Sequence, residues 1–129
     1  MSRQVLIALG AGALSAAIAM TFLSGSAGDL LFVYLAPLPL FMVGLGLGTA
    51  AGTVASAGGL VMAGLLGGVL AAVLYGLIHA LPAWLAIRQS LLHRQAPDGS
   101  VAWYPAGYVL SSVTALGAAL FAATALAVW

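Results

Sequence analysis

Tyr75 and His79, four residues apart, are the side chains in this sequence best placed to do chemistry. That spacing puts both on one face of a helix. His79 lies nine residues before the nearest charge, Arg88, which is about 13 Å of helix. A neutral imidazole beside a phenol offers hydrogen bonds to a polar ligand. The plainer reading, which carries more weight, is a histidine satisfied by a neighbouring serine, threonine or carbonyl. Pro82, three residues on, would free the carbonyl near Ile78 as a further acceptor.

Tyr34, Pro37 and Pro39 make a second group. Pro39 crowds the carbonyl of Leu35 and Pro37 that of Val33, so two carbonyls lose their helical donors. In hydrocarbon such backbone survives only where protein or a water-filled cavity satisfies it. Broken helices of this kind build binding sites in transporters, and they equally make inert kinks. Tyr34, Pro37, Pro39, Tyr75 and His79 are therefore the candidate ligand-binding set. The sequence has no cysteine, glutamate or lysine, and it contains no P-loop, no HExxH, no Ser/His/Asp set and no acidic pair. His93 and Asp98 are too few for a metal site. No enzyme, cofactor or metal is expected, and a net charge of +1 gives no basis for nucleic-acid binding.

The elements that must hold these residues follow from composition. The chain is 64% hydrophobic, with three arginines and two aspartates as its only charges, against roughly 25% charged residues in a soluble domain. Those charges leave neutral runs at 4–28, 30–87 and 99–129. One bilayer crossing takes roughly 20 residues, so the runs supply one, close to three, and one. The expected fold is all-α, a polytopic transmembrane bundle of about five helices at 4–23, 30–47, 49–66, 69–92 and 106–128, in one domain. The first resembles a signal peptide in its arginine and small residues, but its apolar part, Val5 to Leu23, exceeds the usual length of roughly 7 to 15 residues, which favours a retained helix. The joint between the third and fourth spans falls at Gly58-Gly59 or Gly67-Gly68; the former leaves too short a third span, so the latter is preferred. With five crossings Arg3, Arg88 and Arg94 share one side, which the positive-inside rule makes cytoplasmic.

From Gly44 onward small residues recur every fourth position: Gly44, Gly48, Gly52, Ser56 and then, after Leu60, Gly64, Gly68, Ala72 and Gly76. Helices in lipid associate by close van der Waals contact, and this spacing lets backbones approach. The stripe predicts a tightly packed central pair of helices, with homodimerisation through it as the lesser alternative. The polar segment at about 93–105 is expected to be a cytoplasmic loop turning at Pro97-Asp98-Gly99. Trp103 and Tyr104 sit at the level of an aromatic belt. Residues 87–95 either prolong the fourth helix or lie along the interface.

The segments "LFVYLAPLPLFMVGLGLG" (31–48) and "DGSVAWYPAG" (98–107) resemble the amino-terminal half of the YybS-like family, bacterial integral membrane proteins with a domain of unknown function. Members continue with further membrane helices, so the resemblance implies a truncated member, a fragment or half of an assembly. It brings no catalytic residues, and through a distant similarity to substrate-binding subunits of energy-coupling-factor transporters it implies a membrane bundle that binds a small molecule and borrows its motor from partners. The expectation is thus a non-catalytic, multi-pass protein of the bacterial inner membrane, packing in the lipid bilayer with other membrane subunits or with itself. Its alternative is a transporter subunit with a small-molecule ligand held between the second and fourth helices.

Overall fold

The computed structural model describes residues 2–21 and 25–129. It is helical apart from one short hairpin: α1 (Arg3–Met20), α2 (Asp29–Leu35), α3 (Leu38–Leu47), α4 (Thr49–Tyr75), a π-helical turn (Gly76–Ala80), α5 (Leu81–Ser90), β1 (His93–Gln95), β2 (Val101–Trp103) and α6 (Ala106–Val128). The segments Arg3–Met20, Asp29–Leu47, Thr49–Ser90 and Ala106–Val128 are each long and apolar enough to cross a membrane. The expected end of the first span, Leu23, lies outside the described residues.

Helix α1 starts where Ser2 Oγ accepts the Val5 amide at 3.3 Å, the usual way a serine satisfies a helix's orphan donors. Its inner face carries only small side chains, Ala8, Gly12, Ser15, Ala16 and Ala19, so it lies close against α4. At Gly12 the approach reaches the backbone itself: a Cβ there would overlap the Ala55 carbonyl and stand 2.7 Å from the Gly59 nitrogen.

Proline breaks the second segment between α2 and α3. The Ala36 amide turns back to Val33 O at 3.3 Å and the Phe41 amide begins α3 on Pro37 O at 3.1 Å. Pro39 sits in the first turn of α3, where a missing amide costs nothing. The carbonyl of Val33, expected to be left without a donor, is thus recovered by a tighter turn. The acceptor presented to the bundle is that of Ala36, one residue before the first proline.

Two glycines of the four-residue series are bends. Gly48 (φ 104) ends α3 and Gly68 (φ 84, ψ −175) interrupts α4, both in left-handed backbone that only glycine adopts cheaply. Residues equidistant from a tight bend face each other, and these do. A Cβ on Gly52 would lie 3.1 Å from Gly44 Cα, one on Gly64 3.5 Å from Ala72 Cβ, and one on Gly76 2.8 Å from Leu60 Cδ1. The Thr49–Ser90 segment therefore folds back on itself at Gly68, while Gly58 and Gly59 stay within regular helix. Ser56 is buried, and its hydroxyl has no partner among the described residues.

The bend at Gly48 lies beside the start of α1, since Ser2, Gln4 and Val5 share a groove with Leu47, Ala50 and Ala51. Trp84 Nε1 donates to Thr53 Oγ1 at 2.9 Å nearby, and the Arg88 guanidinium lies 5.4 Å from the Trp84 ring centre. Arg3 and Arg88 therefore occupy one end of the bundle. The other end carries the Gly68 bend, with Met20 Sδ 3.5 Å from where a Gly67 Cβ would be.

Residues 87–90 do prolong the helix, as the last turn of α5, but the chain beyond it neither continues nor lies flat as a helix. It forms an antiparallel hairpin with His93 opposite Trp103, Arg94 opposite Ala102 and Gln95 opposite Val101. Gly99 (φ 86) closes its turn, and Val101 and Trp103 supply the β-branched and aromatic residues that a pleated strand favours. The tilted contact of the His93 and Trp103 rings, centres 5.1 Å apart, braces the open end. Helix α6 then packs chiefly on α5 among the described residues, with Gln89 Nε2 donating to Ser112 Oγ at 3.2 Å, and none of its residues is fully buried.

Candidate functional site

Four segments meet around Tyr75. Its ring is only 2% exposed because Gly59, facing it across the Gly68 fold, has no side chain; a Cβ there would overlap the Tyr75 hydroxyl. That hydroxyl donates to Ser15 Oγ at 2.8 Å, and Ser15 donates to the carbonyl of Ala36 at 2.5 Å. A phenol and a hydroxyl, both costly to bury alone, thereby satisfy the backbone acceptor that the proline break sets free. The chain of hydrogen bonds runs from α4 through α1 to the α2–α3 joint.

His79 lies one turn further, its ring centre 5.7 Å from that of Tyr75. The helix widens here to π geometry, with the Leu81 amide reaching back to the Gly76 carbonyl. Pro82 follows immediately and withholds its own donor, the kind of local defect at which π turns appear. His79 is 8% exposed, yet no hydrogen bond to its ring nitrogens exists among the described residues.

Tyr75 and His79 form the polar floor of a cleft of about 300 Å³ whose walls are Ala19, Met20, Val33, Ala71, Leu74 and Ile78. Of the five candidate ligand-binding residues, the structure brings these two together. Tyr34 is 82% exposed and points away from the bundle, although its neighbour Val33 lines the cleft. Pro37 and Pro39 are half-buried and do not line it. Their contribution is indirect, through the Ala36 carbonyl. Ser15 belongs to no motif, yet it is the sole hydroxyl between Gln4 and Met20, and a lone polar side chain in an apolar span is a known cue to interhelical hydrogen bonding.

Other concavities lie elsewhere on the bundle. A groove of about 650 Å³ runs along the outer seam of the Gly68 fold, lined by Leu60, Gly64, Val69, Ala72, Gly76 and their neighbours, with almost no polar surface. A smaller one of about 340 Å³ lies on the hairpin beside His93, Arg94 and Trp103. Among the described residues no three His, Asp or Glu side chains converge. What the cleft at His79 can do is hydrogen-bond one polar group inside an apolar enclosure.

Comparison with known proteins returned no matching protein-family model, no matching curated protein and no matching solved structure.

Proposed function

We propose that this chain is a non-catalytic bundle of five membrane crossings, packed through small residues, that completes a larger assembly in the bacterial inner membrane. The crossings are α1, α2 with α3, the two limbs of the Gly68 fold, and α6. Each limb, at 19 or more residues, is about 28 Å of helix, close to the hydrocarbon thickness. Arg3 and Arg88 at one end of the bundle support a cytoplasmic N-terminus under the positive-inside rule.

The observation that carries the assembly reading is the state of α6 and the outer seam. An apolar helix of 23 residues has no fully buried residue within this chain, while a groove floored by Gly64, Ala72 and Gly76 stands open along the Gly68 fold. Glycine-floored grooves are where membrane helices pack closely. The resemblance of residues 31–48 and 98–107 to the YybS-like family supports the same reading. Native-nanodisc purification with chemical cross-linking tests it: stoichiometric membrane partners cross-linked through α6 or the seam are expected, and a chain recovered solely as a lipid-surrounded monomer rejects it.

A second reading, a small-molecule-binding subunit akin to those of energy-coupling-factor transporters, is favoured by the cleft over His79. Its supports are the apolar enclosure and a buried imidazole that no protein group engages among the described residues. Identification of small molecules co-purifying with the chain, and their loss on His79→Phe, is the corresponding test.

A further inference from the structure

Resting on the second reading, we propose that the cleft over His79 takes a neutral, lipid-soluble molecule bearing a single hydrogen-bonding oxygen, a carbonyl or a hydroxyl, admitted sideways from the bilayer. The six wall residues are aliphatic or methionine, and among the described residues no charged side chain lines the cleft. An ionic ligand would have no counter-charge in hydrocarbon, where isolated charge is expensive. A cargo rich in polar groups would leave most of them facing Met20, Val33 and Leu74 without partners, at a cost for each.

The polar floor sets the count at one. Tyr75 donates its hydroxyl proton to Ser15 and Ser15 its own to Ala36, and at 2% and 0% exposure neither oxygen is open to a ligand. The imidazole of His79 is left, 8% exposed and without a hydrogen-bond partner among the described residues. A neutral ring offers one N–H donor and one acceptor nitrogen. The donor suits a carbonyl, and either nitrogen suits a hydroxyl.

The mouth sets the route. Leu74 and Ile78, on the cleft's rim, are 48% and 56% exposed on the side of the bundle. In a membrane that side faces acyl chains, so the ligand arrives from lipid.

The test uses the full chain in phosphatidylcholine nanodiscs with a benzophenone-bearing decyl probe, 2-undecanone as a carbonyl competitor and 1-decanol as a hydroxyl competitor. Saturable labelling of residues 71–79 is expected, competed by one or both; competition by 2-undecanone alone identifies the carbonyl, by 1-decanol the hydroxyl. His79→Phe should raise the half-competing concentration about tenfold, the loss of one buried hydrogen bond, and His79→Gln should recover most of it. The mapping on the unsubstituted chain stands even where His79→Phe misfolds. Non-saturable labelling, or identical competition in His79→Phe, overturns the proposal. Should a water-soluble compound co-purify and block labelling while neither lipid-soluble competitor does, the ligand-binding reading stands and the lipid-soluble chemistry falls. If nothing competes and nothing co-purifies, both fall.

Discussion

The Tyr75 hydroxyl donates to Ser15 at 2.8 Å across 60 residues of sequence, and Ser15 passes the hydrogen bond on to the Ala36 carbonyl. This links three helical segments at the level where Pro37 breaks the second. Ser15→Ala leaves the carbonyl and the phenol without partners. It should cost about 0.6 to 2 kcal/mol, the range for interhelical hydrogen bonds in membranes. In a double-mutant cycle with Tyr75→Phe, unfolding in a denaturing detergent should show a double mutant less destabilised than the sum of the singles. Strict additivity would mean that the two hydroxyls do not cooperate.

Glycines in one helix should differ sharply in tolerance. A methyl added at Gly10 would find nothing within 4 Å, whereas one added at Gly12 would meet the Ala55 carbonyl and the Gly59 amide. Gly12→Ala must push α1 off α4, an overpacking cost of about 1 to 3 kcal/mol, while Gly10→Ala should be neutral or slightly stabilising through helix propensity. Thermal stability in detergent reads the difference. Equal effects at the two positions would contradict the close approach of α1 to α4.

Glycine roles also mark how far the sequence alone reaches. The helical class, the apolar segments and the bend near Gly67-Gly68 all follow from composition, length and the run of glycines. The series Gly44 to Gly76 is equally visible, but as one uniform stripe. Folding splits it by role, with Gly48 and Gly68 in left-handed backbone, Gly44, Gly52 and Gly76 in close contacts, and Gly64 at ordinary distance from Ala72 across the bend. Spacing cannot separate these roles because a bend glycine and a contact glycine share one period when the bend lies at the centre. Gly12 and Ser15 stand outside the series and so give no pattern to notice. Tyr34 illustrates the converse: adjacency to the prolines suggests a site, yet the face it occupies is set by the rotation of α2, which periodicity in a uniformly apolar helix does not encode. The hairpin at 93–103 is hidden because each strand has only three residues, too few for alternation to register.

At the fold of α4, Gly68→Ala should be costly for conformational rather than packing reasons. Its φ of 84 and ψ of −175 fall in a region essentially reserved for glycine, and a side chain there costs about 1 to 3 kcal/mol. Gly64→Ala, whose added methyl would sit at an ordinary 3.5 Å from Ala72 Cβ, is the control and should change stability little. The two variants compared by thermal unfolding distinguish a bend at Gly68 from a continuous helix, in which Gly68→Ala would stabilise.

Topology gives a third kind of test. Single cysteines at Ser26, Val69 and Ser100 should divide two to one. Five crossings put Ser26 and Val69 outside, beside the Gly68 bend, and Ser100 inside with the arginines. A membrane-impermeant maleimide added to intact cells should label the first two and spare the third. Labelling of Ser100 together with Ser26 from the same side is incompatible with five crossings.

The hairpin turn should respond to acid, and the direction follows from one carboxyl. The Ser100 hydroxyl donates to Asp98 Oδ1 at 2.7 Å and its amide at 3.0 Å, holding the Asp98 pKa below its ordinary 3.8. Both bonds favour the charged form. A folded-state pKa lowered in this way contributes stability that is complete above the unfolded value and disappears as pH falls through the folded one. Above about pH 5 the Ser100 amide should therefore be protected and its shift constant, and below 3.8 both should change together. Asp98→Asn should remove the acid transition. The carboxyl lies in solvent, so the effect belongs to the local turn and not to the bundle. Amide exchange at Ser100 measured from neutral to acid pH in detergent micelles reads it directly. A midpoint above 3.8, or loss of protection shared by α4, would show that the turn is governed by something other than this carboxylate.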